Sequence, residues 1–168
     1  TNSLSSSRHR NNYFWNDEFT IEMVNKLSDE HAILKQNLLF TGLESIKYNI
    51  NRKQNNLKFF EFDKTYNKID GEINENRKIG IYMSGLSNEE HFSSKSKIIS
   101  FFDIYNTINK IMIQANILNY KTMAGKSKIL DECVELEIDK KTICTIGKVK
   151  KELLNYFEIN QDVYFAEL

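Results

Sequence analysis

The chain has 168 residues, 40% of them hydrophobic, with eleven Phe and eight Tyr, enough apolar material for the core of one ordinary domain. Its 23 acidic and 23 basic residues cancel, which excludes a strong overall field toward nucleic acid or an anionic membrane. No apolar run approaches the roughly 20 residues that span a bilayer, so a membrane protein built on helices is not expected.

In chain order, residues 1–5 read as a short strand. The segment 6–19 is polar around a Tyr13-Phe14-Trp15 knot, followed by Phe19, and reads as a loop plugged onto the core. The basic triplet Arg8-His9-Arg10 within it carries too little charge for a phosphate-binding surface and reads as a solvated loop. Ile21, Met23 and Val24 suggest a strand over 20–25. Ser28 followed by Asp29 and Glu30 has the form of a helix N-cap with first-turn acids. An apolar face of Leu34, Leu38, Leu39, Leu43, Ile46 and Ile50 then carries the predicted helix to about Arg52. Gly42 interrupts it, either to let another element approach closely or as a break between two helices.

Leu57, Phe59, Phe60, Phe62 and Tyr66 predict a strand over 57–66, apolar on both faces near Phe59-Phe60 and so central in a sheet. Asp70-Gly71 marks a turn. The alternation of Ile79, Ile81 and Met83 predicts a strand over 77–85, ending at Gly85, before a polar loop over 86–97 that carries His91. Phe101, Ile104, Tyr105, Ile108, Ile111 and Met112 predict a second amphipathic helix over 100–115, with Asp103 as a first-turn acid. Strands are predicted at 117–123, 132–138 and 142–149, the last two a hairpin through Asp139-Lys140-Lys141. A short helix over 149–156 and a strand over 162–168 close the chain. Pro is absent, so Gly, Asn, Asp and Ser must terminate the elements. The order fits an α+β fold, an antiparallel sheet with helices on one face, in a single domain over 1–168.

Little in the chain suggests catalysis. Gly125-Lys126-Ser127 ends like a phosphate loop, but the position five residues before Gly125 is Tyr120, so the tripeptide reads as a turn. His9, His31 and His91 are dispersed, and no pair has ligand spacing. The acidic neighbours Asp29-Glu30, Glu89-Glu90 and Asp131-Glu132 do not face each other on a helix. Cys133 and Cys144 lack a metal-binding spacing and read as buried free thiols of a cytoplasmic protein. No catalytic, cofactor-binding or metal residue is therefore expected. The chain starts at Thr1 without Met, as a segment of a longer polypeptide would.

Several blocks, in order, resemble the beta subunit of bacterial phenylalanyl-tRNA synthetases, in the core domain that copies the class II synthetase fold. They are Leu27 to His31, Leu38 to Ile46, Asn49 to Arg52, Leu57 to Phe62, Phe101-Phe102-Asp103-Ile104, Ile143 to Val149 and Val163 to Leu168, with Thr1 to Leu4 as a first strand. The sequence departs from the family pattern at Lys26, where Pro is usual, at Lys35, where Arg is usual, and at Asp63, where Gly is usual. The resemblance implies a six- or seven-stranded antiparallel sheet flanked by helices. It implies a partner, the catalytic alpha subunit, and a second beta subunit in a two-alpha, two-beta assembly. It also implies tRNA(Phe) as substrate and ATP with Mg2+ as cofactors of the parent complex.

Class II activation grips ATP with one Arg followed two positions on by an acid, and with another Arg late in the fold. Here Arg8, Arg10, Arg52 and Arg77 all lack that acid, and no Arg follows Arg77. Lys does not reproduce the planar, bidentate guanidinium, so the domain is expected to scaffold the alpha subunit. The expected subunit interface is Leu34, Leu38, Leu39, Leu43, Ile46, Ile50 and Phe60. The alternative is an independent small α+β ligand-binding domain or hydrolase using His91 with Asp103 or Glu89.

Overall fold

The computed structural model describes residues 3–26, 28–87 and 96–168. In chain order the described elements are β1 (Leu4–Ser5), β2 (Ile33–Leu34), α1 (Leu39–Ile50), β3 (Leu57–Ile69), β4 (Glu72–Ser84), α2 (Phe101–Gln114), β5 (Lys121–Ala124), β6 (Leu130–Ile138), β7 (Lys141–Val149), α3 (Lys151–Tyr156) and β8 (Val163–Glu167). Among the described residues, six strands form one antiparallel sheet in the order β3-β4-β8-β7-β6-β5, and β1 pairs with β2 alongside it. This is the expected α+β architecture.

Strand alternation sends successive side chains to opposite faces, and both faces are buried. Tyr82, Val163 and Phe165 face α1, α3 and the Trp15 segment, whereas Ile81, Met83, Ala166 and Ile146 face α2. The helices thus lie on both sides of the sheet, not on one as expected.

Two hairpins follow from local chemistry. Asp70 and Gly71 at φ 51° and 86° connect β3 to β4, and Asp139 and Lys140 at φ 50° and 65° connect β6 to β7. Two residues with positive φ give the turn whose twist matches the flanking strands. α2 starts where expected, with the Asp103 carboxylate accepting from the Ser100 N–H at 2.7 Å and the Ser100 hydroxyl at 2.6 Å.

The first third of the chain departs from expectation. Ser28 opens only a 3-10 turn over Asp29–His31, and Leu34 lies in β2. Backbone contacts to other segments hold this stretch open: Leu34 N–H donates to Ile21 O, Lys35 N–H to Ser3 O, and Tyr66 N–H to Lys35 O. The helix starts at Leu39 because Asn37 Oδ1 accepts from the N–H groups of Leu39 and Phe40, and Glu167 Oε1 accepts from Leu38 N–H at 3.0 Å. The segment 20–25 contributes one isolated bridge, Glu22 to Ile33, in place of a strand. Trp15 is buried against Phe40 while Tyr13 is exposed. His9 is not solvated: its ring is buried among Trp15, Phe40, Tyr156 and Phe157, with Nε2 3.2 Å from Glu44 Oε1.

Strand β3 is an edge strand, not a central one. Its second apolar face, Phe60 and Phe62, is 65% and 63% exposed. Apolar residues on both faces here mark an uncovered surface, not an interior position.

Gly42 is a site of close approach and not a break. A Cβ there would collide with the ring of Tyr82, which is fully buried under α1 and stacked on Phe59 at 4.8 Å. The Tyr82 hydroxyl is shared between Leu38 O at 2.6 Å and Glu61 Oε1 at 2.8 Å. Burial, and then the Glu61 charge, push the phenol far above its ordinary pKa, so it remains a donor.

Beside it, the side chain of Lys35 is 3% exposed, with Nζ 2.7 Å from Asp63 Oδ2 and 3.7 Å from Glu61 Oε2. Burial raises the Asp63 carboxyl, but hydrogen bonds from Lys35, Lys64 N–H and Ser3 together outweigh it and hold its pKa below 3.8. Lys35 and Asp63 thus compensate each other's charge.

The cluster generates three expectations. Gly42→Ala should lower stability to urea by about 1–3 kcal/mol through overpacking, despite Ala being the better helix former. Lys35→Met should cost about 3–5 kcal/mol at neutral pH, because it leaves a buried carboxylate unpaired. That contribution of Asp63 is present above pH 3.8 and is lost as pH falls through its lowered folded value. Glu167 behaves oppositely. Burial raises its carboxyl above 4.5 against the opposing pull of Leu38 N–H and Lys78, with Glu61 adding to the rise. Its share of stability therefore falls as pH rises through that window. Glu167→Gln should be the more stable protein at pH 7 by thermal melting, and the difference should vanish on acidification.

Candidate functional site

The expected interface residues divide by burial. Leu38, Leu39, Leu43 and Ile46 are fully buried in the domain's own core, and Leu34 and Ile50 are partly buried. The outward side of α1 consists instead of Glu44, Ser45 and Tyr48. Only Phe60 of the expected set stands open.

Around Phe60 lies an almost wholly apolar groove of 410 Å3, lined by Phe60, Phe62, Ile79, Ile81, Thr107 and Ile111 among others. Cross-strand pairing builds its floor, Phe60 opposite Ile81 and Phe62 opposite Ile79. Phe60 and Phe62 meet edge to face at 5.6 Å. Thr107 and Ile111, one turn apart on α2, form a wall. The groove exists because α2 packs over β4, β7 and β8 and stops short of β3. Periodicity alone did not identify it, although the doubled aromatic pattern at 59–62 was its signal.

The polar side chains are engaged elsewhere. Arg8 pairs with Glu30, and Arg10 with Asp17 and Glu22. Arg52 lies over the Tyr48 ring, 3.4 Å from its centre, and Arg77 projects from the outer part of β4. Three of these guanidinium groups thus already have partners within the domain, and the fourth, Arg77, stands on the β3–β4 ribbon. Asp103 is held in its capping contacts, and the expected companions His91 and Glu89 lie outside the described residues. His31 is exposed beside Ser28. Ser127 Oγ accepts from Ile129 N–H and Leu130 N–H, so Gly125-Lys126-Ser127 is a turn.

Cys133 and Cys144 are free and buried in opposite layers of the sheet. Burial pushes the Cys144 thiol up to about 12, and burial with Glu135 raises Cys133, so neither is a ready nucleophile. Among the described residues no group of three or more His, Cys, Asp or Glu is placed to hold a metal. No described helix is long and apolar enough to cross a membrane.

The model of the phenylalanyl tRNA synthetase beta chain CLM domain matches residues 1–168. Relatives include the phenylalanine-tRNA ligase beta subunit of Fusobacterium nucleatum subsp. nucleatum, 30% identical over 155 residues, covering 88% of this chain and 19% of the relative. The corresponding subunit of Porphyromonas gingivalis is 29% identical over 163 residues, covering 90% of this chain and 20% of the relative. The chain thus spans about a fifth of the length of these relatives. A pyrrolysyl-tRNA synthetase from Desulfitobacterium hafniense superposes with a TM-score of 0.74 over all of this chain and 58% of that one, at 11% identity. That likeness is one of fold, and it is to an aminoacyl-tRNA synthetase. On the end-to-end family match and the agreement of fold, this chain belongs to the phenylalanyl-tRNA synthetase beta chain CLM domain family.

Proposed function

We propose that the chain is a non-catalytic structural domain of a phenylalanyl-tRNA synthetase beta subunit and that it scaffolds the catalytic alpha subunit for aminoacylation of tRNA(Phe). The observation that carries this reading is the engagement of its guanidinium groups within the domain itself. Arg8 and Arg10 neutralise nearby acids, Arg52 covers a tyrosine ring, and Arg77 stands on the outer ribbon. A nucleotide triphosphate needs such groups aimed at one point. The residues present do not fit ATP with Mg2+, and those cofactors belong on this reading to the alpha subunit.

What the domain offers instead is a rigid, doubly covered sheet with one apolar face left open at β3. An exposed apolar surface of this kind marks an association site. On this reading the partner meets Phe60, the one exposed member of the expected interface, and the outward side of α1, which lay outside that set. The assembly would hold two alpha and two beta subunits, and its setting would be the cytoplasm, where two unpaired thiols remain reduced.

Phenylalanine-dependent exchange of pyrophosphate into ATP tests the assignment. The full-length beta chain alone should give no exchange, and the beta chain mixed with the alpha subunit should give it. Exchange by the isolated beta chain would overturn the reading.

A further inference from the structure

We infer that Asp70-Gly71, the turn between β3 and β4, is a site of covalent modification: the Gly71 nitrogen closes on the Asp70 carboxyl, and the bond between the two residues becomes an isoaspartyl linkage, a substrate for carboxyl methyltransferases that act on that linkage.

The chemistry is local to the pair. Asp70 is the one Asp or Asn in the chain that precedes a Gly. With the side chain in its acid form, the Gly71 nitrogen bonds to Asp70 Cγ, and the carboxyl hydroxyl leaves with the amide proton as water. Water then opens the resulting five-membered imide. Attack at Cγ restores aspartate. Attack at the Asp70 main-chain carbonyl leaves the chain running through Cγ, with that carbonyl as the free carboxylate. Only water is exchanged, and no oxidant or reductant is needed. Ring closure puts the Gly71 nitrogen in one plane with Asp70 Cα and Cβ. A side chain on the following residue crowds that approach, and glycine has none.

The fold lets the turn reach that geometry. Asp70 and Gly71 have φ 51° and 86°, and a turn of this class sets ψ of its first residue near about +30°. The peptide between them must therefore rotate before the ring closes, and little resists the rotation. Both residues lie outside the ladder, whose last pair is Ile69 with Glu72. A Cβ on Gly71 would meet no atom within 4 Å, and residues 68–77 are all exposed. Among the described residues, backbone bonds to other segments come no nearer than Tyr66 on β3, bonded to Lys35, and Ile79 on β4, bonded to Leu168. The β6–β7 turn provides a comparison within the same molecule. Asp139 and Lys140 also have positive φ, but Lys140 carries a side chain, and β5 pairs with β6 as far as Glu137. Isomerisation therefore concentrates at one of two turns that share a backbone geometry. The methylene it adds to the main chain spoils the match between a two-residue turn and its strands, so the modified ribbon loses its end pairs.

The test ages the full-length beta chain in its folded state at neutral pH. Isoaspartate is located by fragmentation mass spectrometry of the tryptic peptide 69–77 and counted by methyl transfer from labelled S-adenosylmethionine, with an isoaspartyl methyltransferase as the probe. Isoaspartate at Asp70 should accumulate many-fold over that at Asp139. Asp70→Asn, which forms the same ring with ammonia as the leaving group, should accumulate it faster. Gly71→Lys, which copies the Asp139-Lys140 pair, should lose most of the accumulation, with the thermal melt unchanged. Equal levels at the two turns, or an unchanged rate in Gly71→Lys, would overturn the inference. So would isoaspartate that forms in the urea-unfolded chain and not in the folded one, because the fold would then protect the pair.

Discussion

The contact between the Tyr82 ring and Gly42 sets how closely α1 can lie on the sheet, and much of the remaining structure depends on that distance. Glycine is required on the helix because any Cβ would occupy the space of the ring. The ring in turn is fixed by Phe59 and Phe165 on its flanks and by Glu61 and the Leu38 carbonyl at its hydroxyl. Once α1 lies at this depth, Glu167 on the last strand reaches Leu38 N–H at the helix start. Residues more than a hundred positions apart thereby meet around one phenol, and the N-terminal third is joined to the C-terminal strand.

The polar neighbours of Tyr82 are buried together because each has a partner. Lys35 and Asp63 would each be costly alone in that position. An acid on β3 is tolerated here because a cation reaches it from the segment before α1. The arrangement resembles a binding site in composition, with two acids, a lysine and a tyrosine, yet its hydrogen bonds close on one another and it serves as a joint between layers.

Legibility in the sequence followed the range of the interactions responsible. The turn at Asp70-Gly71, the hairpin through Asp139-Lys140, the first-turn acid Asp103 of α2 and the turn at Gly125 depend on neighbours a few residues apart, and local patterns revealed them. The stretch 28–38 was misread as helix because its backbone bonds to Ser3, to Ile21 and to Tyr66 in place of the successive i to i−4 bonds of a helix. Asn37 was the overlooked sign that the helix starts later. His9 looked exposed because two arginines flank it, although its own ring turns inward. At the candidate site, the doubled aromatic pattern read as a central strand, and the exposure of Phe60 follows only from the place of β3 at the edge of the sheet. The leucines of α1 were not separable into inner and outer sets, since a helical stripe does not state whether its own sheet or another chain covers it.

The β3–β4 ribbon has unequal support along its length. Strand β8 pairs with β4 only over Gly80–Ser84, and the Ile79 backbone bonds to Leu168. From Glu72 to Lys78 the ribbon is two strands wide, ending in a tip where Ile69 and Ile73 are exposed. A pair of strands without a third is marginal in water, so beyond the Tyr66 N–H to Lys35 O bond the tip of this ribbon can open without disturbing either core layer. Amide protons there would exchange with solvent far sooner than those of Ile81 or Phe165, and the molecule has a stiff body from which a softer arm extends.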